Sequence, residues 1–195
     1  MSAILTPPDH ELLSLLKGGD RNAFTTLYNR YWDKLLAIAY NHTRDKQSAE
    51  EIVQNLFVGL WNRREDLVIE NPANYLATAV KFAVFKEYYR KQKREASLIG
   101  KLTFEQEHQI EEQISAKFLK EYINGIVENL PEKCKLVFKL SRERHLSNAE
   151  IGEELGIAEK TVEAHLTKAL KTIRTELNSS GVMIVIATGI NHFIK

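Results

Sequence analysis

One cysteine, Cys134, is all that the 195-residue chain contains. No disulfide framework can form within it, and the residue reads as a small buried apolar side chain in a protein of a reducing compartment, the cytosol. Prolines number four and glycines nine, so long helices can run with few breaks. An excess of charge of one sign is also missing. Lys and Arg total 27 against 26 Asp and Glu, a net charge of +1. The molecule is no polycation, and any nucleic-acid contact must rest on local concentrations of basic residues. Long hydrophobic runs are lacking too. Val182 to Ile190 is apolar but far shorter than the ~20 residues of a spanning helix. Pro7, Pro8 and Asp9 stand where a secretory leader would carry its apolar core. No Gly-rich phosphate loop, metal-ligand cluster or nucleophile with a base is visible, so no enzyme, no cofactor and no metal are expected.

What is there is helical. Apolar residues make up 44% and charged residues 27%, which fits a folded globular chain. Apolar side chains recur at three-four spacing nearly everywhere, and no alternating strand pattern precedes the tail. Glu11 to Lys17 reads as a short helix closed by Gly18-Gly19. Asp20 caps a longer one, with Phe24, Leu27, Tyr28, Tyr31, Leu35, Ile38 and Ala39 on its buried face. Ser48-Ala49-Glu50-Glu51 has the form of a capping box. The helix it opens turns Ile52, Val53, Leu56, Phe57, Leu60 and Trp61 one way, and Glu51, Gln54, Asn55 and Val58 the other. Asn62 to Glu70 is a polar loop. Asn71-Pro72 then supplies an N-cap and a proline at the first helical position. From 96 to 116 the pattern weakens and reads as a linker, partly helical. Spacing resumes with Phe118, Leu119, Tyr122, Ile123, Ile126, Val127 and Leu130, and Pro131 starts a further helix.

The stretch from Asn148 to Leu177 has the form of a helix-turn-helix. Asn148 is placed as N-cap of a short helix with Ile151 and Leu155 inward. Gly152 suits a close helix crossing, Gly156 a turn at positive φ, and Ile157 plugs that turn. The second helix, from about Glu159, turns Val162, Leu166, Ala169, Leu170, Ile173 and Leu177 inward. Its outward side offers Lys160, Thr161, Glu163, Ala164, His165, Lys168, Lys171 and Arg174. The start of such a helix meets base edges in the major groove, and flanking cations hold phosphates. An ordinary helical hairpin with solvated charges shares much of this pattern. His165 fits either the DNA face or the edge of the core. Glu163 either accepts from a cytosine amino group or merely caps and repels.

A second basic helix follows Pro72. Lys81, Lys86, Arg90, Lys91, Lys93 and Arg94 are interleaved with Phe82, Phe85, Tyr88 and Tyr89. Cations that track a backbone, beside aromatic faces that stack on bases, suit unpaired DNA. A helix with core aromatics and solvated lysines fits the same residues. Tyr75 and Leu76 read as core.

Four stretches together resemble the extracytoplasmic-function sigma factors of the sigma-70 family, over roughly Leu12 to Leu177. Gly19 to Phe24 with Leu27, Tyr28 and Tyr31 resembles the start of region two. Ala49 to Phe57 with Leu60-Trp61 resembles the helix that docks on the polymerase clamp. Asn74-Tyr75-Leu76 and the basic helix resemble the minus-ten segment. Leu130-Pro131 through Phe138, Glu150 to Val162 and Ala169-Leu170 resemble region four. Departures are Asn55 for an acidic residue, Lys81-Phe82 for an Arg-Asn pair, Lys86 for Asp or Asn, and Gly152 for alanine, the last expected to be sterically mild. A short hydrophobic carboxyl end is similar to that of Bacteroidetes factors.

The resemblance implies an all-α chain of two small helical domains: region two over 8–95, a linker over 96–116, region four over 117–178 and a hydrophobic tail over 179–195. It implies docking on core RNA polymerase, at the beta-prime clamp and beta flap, with Glu51, Gln54, Asn55 and Val58 as the clamp-facing set. Asn74, Lys81, Lys86, Tyr89, Arg90 and Lys93 would meet the minus-ten element, and the 62–74 segment would capture a flipped base. The outward residues of the second helix-turn-helix helix would meet the minus-thirty-five element. Promoter DNA and an anti-sigma factor, often membrane-bound in this family, are the other implied partners. A LuxR-like regulator shares Thr161-Val162-Glu163-Ala164-His165, but would need no docking helix and should carry a receiver's strands. The tail leaves readings open: packing on region four, a partner surface, an added strand, or membrane contact.

Overall fold

The computed structural model describes residues 7–66, 68–96 and 104–187, with the side chains of 93–96, 104–109 and 111 left out. Every regular element among them is an α-helix: α1 (Asp9–Lys17), α2 (Arg21–Thr43), α3 (Lys46–Asn62), α4 (Pro72–Ala96), α5 (Phe104–Glu128), α6 (Glu132–Glu143), α7 (Asn148–Leu155), α8 (Glu159–Ser179) and α9 (Val182–Ala187). The chain divides into two compact units. The first holds residues 1–115 together with 179–195, and the second holds 116–178. The all-α expectation therefore holds over the described residues.

In the first unit α2 is the central element, packed on α1, α3 and α4. Its start is fixed by Asp20, whose carboxylate accepts from the amides of Asn22 and Ala23 at 2.7 and 3.0 Å. That capping satisfies donors the helix itself leaves orphaned. Ala23, Leu27, Tyr31, Leu35 and Ala39 form its buried stripe. Phe24, Tyr28 and Trp32 line its flank, with Phe24 edge-on to Phe57 and Trp61 of α3 at 6.1 and 5.3 Å. Edge-to-face pairs of this kind add roughly 0.5–1.5 kcal/mol beyond area burial. Asp9 of α1 bonds both Arg30 and the Tyr31 hydroxyl, pinning α1 across α2. Burial first, then the Asp9 contact, pushes the Tyr31 phenol well above its ordinary range.

Two boundaries differ from the sequence reading. α3 begins at Lys46, not at Ser48, because Asp45 is its N-cap and accepts from the Ser48 amide at 2.8 Å. Those Ser48 hydrogen bonds hold the Asp45 carboxyl below the usual range. Ser48 is thus a first-turn residue whose neighbours only imitate a capping box. Most of the 96–116 linker is also helical, since α5 begins at Phe104; residues 97–103 and Gly100 with them lie outside the described set.

The second unit has a core in two parts. Val127, Leu130, Cys134, Ala169 and Ile173 form one. Val137, Leu140, Ile151 and Val162 form the other, ringed by Leu146, Leu155, Ile157 and Leu166. Cys134 is a buried core residue, as its type suggests. The turn from α5 into α6 is tied by Lys139 and Lys135, both of which reach the Glu128 side chain.

Of the readings left open for the tail, packing on region four is not the one found. The tail does not join the second unit: α9 lies against α4 in the first. Val182 and Val185 are fully buried there. Ile190, Phe193 and Ile194, expected to share the tail's apolar role, fall outside the described residues.

Candidate nucleic-acid and polymerase interfaces

Side chains of the first unit occupy two outer faces. On α3, Glu51, Gln54 and Val58 are exposed and Asn55 is half-buried, while Ile52, Val53, Leu56 and Phe57 face the core. An apolar side chain left 55% open, Val58, stands among polar neighbours. Glu87 of α4 borders this strip. Its carboxyl is pushed above the usual range by burial and by the negative charges of Glu51 and Asp45. Sequence spacing did not single out Glu87, because its neighbours lie on another helix.

On α4 the expected minus-ten set separates. The helix is launched by Asn71, whose side chain accepts from the Asn74 amide at 3.0 Å. Asn74 and Lys81 are exposed; Tyr89 and Arg90 are half-buried. Lys86 departs from the expectation: at 2% exposure it is inside the unit and closed to a DNA strand. Its position on the helix falls on the same buried stripe as Tyr75, Ala79, Phe82 and Ala83. The side chain of Lys93 lies outside the described residues. The aromatics also split. Phe82 is core, Phe85 and Tyr89 pair at 4.6 Å, and Tyr88 is 57% exposed with its hydroxyl accepting from Gln92. Only part of the interleaved pattern therefore forms an outer stacking surface.

The segment after α3 shapes a concavity. Arg64 lies over the Trp61 ring at 4.8 Å and donates to the Trp61 carbonyl at 3.0 Å. With Val68, Ile69, Leu60 and the α1 residues His10 and Lys17, it borders a cavity of about 290 Å³. Basic and apolar groups together can receive a flat, polar-edged ring next to a phosphate.

In the second unit the helix-turn-helix is built by local chemistry. Ser147, one residue before the expected Asn148, is the N-cap of α7. Its hydroxyl accepts from the Glu150 amide at 3.3 Å, and the Glu150 carboxylate accepts from the Ser147 amide at 2.8 Å. The Ser147 amide and then its hydroxyl, both donating to that carboxylate, hold the Glu150 carboxyl below the usual range. Gly156 closes α7 at φ 64°, the left-handed region. Ile157 then donates back to the Gly152 carbonyl at 2.9 Å. A Cβ on Gly152 would stand 2.8 Å from the Ile157 carbonyl oxygen. Alanine is thus not the mild replacement expected there.

On α8, Lys160, Thr161, Glu163, Ala164, Lys168, Lys171 and Arg174 are exposed. No ion pair engages Lys160, Lys168, Lys171 or Arg174 among the described residues. His165 differs from the rest of the set. It is half-buried, and its Nδ1 lies 3.5 Å from the Cys134 sulfur, at the edge of the core. Leu170 was expected inside but is 43% exposed, because the core contacts of α8 run through Val162, Ala169 and Ile173.

Known proteins match these two units in the same order. Residues 27–95 match the family described as Sigma-70 region 2, and residues 120–173 the family described as Sigma-70, region 4. The ECF RNA polymerase sigma factor SigL of Mycobacterium tuberculosis, strain H37Rv, is 27% identical over 162 residues, covering 80% of this chain and 89% of SigL. SigL of the CDC 1551 and Erdman strains matches equally. Among solved structures, CnrH in complex with the cytosolic domain of CnrY is 18% identical with a TM-score of 0.37, covering 88% of this chain and 97% of that one. The chain belongs to the sigma-70 family as an RNA polymerase sigma factor of the extracytoplasmic-function type, binding core polymerase and promoter DNA to start transcription.

Proposed function

We propose a division of this work among named side chains. Glu51, Gln54, Asn55 and Val58 dock α3 on the beta-prime clamp, with Val58 supplying the apolar contact and the polar residues fixing register. Asn74, Lys81, Tyr89 and Arg90 engage the minus-ten strand. A base flipped from that strand enters the concavity beside Arg64, where stacking and charge offset the cost of unstacking. Lys160, Thr161, Glu163 and Ala164 face base edges of the minus-thirty-five element, while Lys168, Lys171 and Arg174 hold flanking phosphates. The observation that carries this reading is the pairing, on one chain, of an exposed polar strip on α3 with a basic strip on α8 that no ion pair engages among the described residues.

Control by an anti-sigma factor in the cytoplasm, membrane-bound as in Bacteroidetes uptake systems, completes the reading. No described helix is long and apolar enough to cross a membrane.

The test combines core bacterial RNA polymerase, the full chain and a promoter library. Run-off transcripts should appear only when the chain is present. Gln54→Ala with Asn55→Ala should weaken core association about tenfold while the helical circular-dichroism signal is kept. Equal core affinity in the double variant excludes α3 as the docking face.

A further inference from the structure

The carboxyl end of the chain folds back onto α4. Ser180 opens it, its hydroxyl accepting from the Val182 amide at 3.3 Å. Gly181 adopts φ 67° and lies so close to Tyr75 that a Cβ would stand 3.2 Å from the ring. Val182 and Val185 are buried completely, while Met183 on the other side is 49% exposed. The Asn74 side-chain amide donates to the Ser179 carbonyl at 3.2 Å. Residues 105 apart in sequence thus meet at the start of α4.

We infer that segment 179–187 is a built-in competitor of the minus-ten strand. It holds the Asn74 carboxamide and covers α4 around Tyr75, so it lifts before promoter DNA engages that end of the helix. The inference rests on the minus-ten assignment of Asn74 made above. Donating one of its N–H groups to the Ser179 carbonyl holds the Asn74 carboxamide in one orientation, so that bond must break before the group can turn to a base. The latch is also suited to release. α9 spans Val182–Ala187, far too short to persist as a helix by itself, so its order derives from the contact with α4. Being part of the same chain, the tail needs little intrinsic affinity to stay seated until polymerase delivers DNA.

Hydrogen exchange on holoenzyme made with the unaltered chain tests this directly. The probe is fork-junction DNA with a single-stranded minus-ten element. Binding should raise exchange of the 182–187 amides about tenfold or more. Unchanged protection with DNA bound overturns the inference. A second arm uses Val182→Asp with Val185→Asp, which unseats α9 without touching the assigned DNA contacts. Open complexes should form about threefold faster or more. An equal or slower rate, with core binding intact, counts against the latch. Lys81→Ala separates the two ideas. If it weakens fork-junction binding while tail exchange ignores DNA, the minus-ten reading stands and the latch falls. If the unaltered holoenzyme binds no fork junction, the minus-ten reading falls and the latch with it.

Discussion

Gly152 leaves no space for even a methyl group. Its neighbour across the turn is a backbone oxygen, the Ile157 carbonyl, which cannot swing aside as a long side chain would. Gly152→Ala should therefore cost about 1–3 kcal/mol through overpacking. Thermal unfolding of the full chain reads this as a loss of several degrees in the second-unit transition; an unchanged midpoint would mean that α7 shifts at no cost. Residue-scale features of this kind were only half legible in sequence. A small residue at Gly152 could be anticipated from the short-helix, glycine-turn pattern. The distance that forbids alanine could not, because it depends on where the Ile157 carbonyl points. His165 shows the same limit. Its spacing fits both the outward arc and the core edge, and only the position of Cys134 on another helix decides between them. Lys86 is a sharper case: charge argues for the surface, yet its place on the buried stripe of α4 wins.

Between elements, the α3–α4 border concentrates negative charge. Partial burial first, then repulsion from Glu51 and Asp45, raises the Glu87 carboxyl above its ordinary 4.5. The folded state therefore holds that proton more tightly than the unfolded state does. The resulting stability is complete at pH values below 4.5 and is lost as pH rises through the raised folded-state value. Glu87→Gln should flatten this part of the stability–pH curve and leave the protein more stable at neutral pH. Denaturant midpoints measured from acid to neutral pH check it, and parallel curves for the two proteins refute it. The order of α1 to α8 was legible from apolar spacing, since three-four periodicity survives in every long segment; α9, a single short turn-and-a-half of apolar residues, was not read as a helix. Helix starts were less so. Asp45 and Ser147 each displaced a neighbouring cap candidate, because Ser48 and Asn148 also have capping side chains and periodicity does not locate a helix end within a residue.

For the whole molecule, the proposed promoter contacts are divided between two weakly basic surfaces on a chain of net charge +1. Neither has to bind strongly alone, because attachment to polymerase raises the effective concentration of each. Lys168→Ala should thus lower the salt slope of holoenzyme binding to a minus-thirty-five duplex by about one. Filter binding across a salt series measures it, and an unaltered slope places the phosphate contact elsewhere. The two-part plan was legible because the region-two and region-four patterns are local, each contained in a continuous stretch. The place of the tail was not. Its partner residues Asn74 and Tyr75 lie more than a hundred positions away, and an apolar run alone does not name the surface that receives it.

The divided surface of α8 carries a consequence for divergence. Lys160, Thr161, Glu163 and Ala164 are exposed and support no part of either core cluster. Substitutions there are nearly free of folding cost, since surface changes away from caps and cores rarely exceed about 0.5 kcal/mol. His165 leans on Cys134 and does not share that freedom. Under the proposed assignment of these four side chains to base edges, a lineage of such factors can drift to new promoters by exchanging them, while the scaffold that presents them stays fixed.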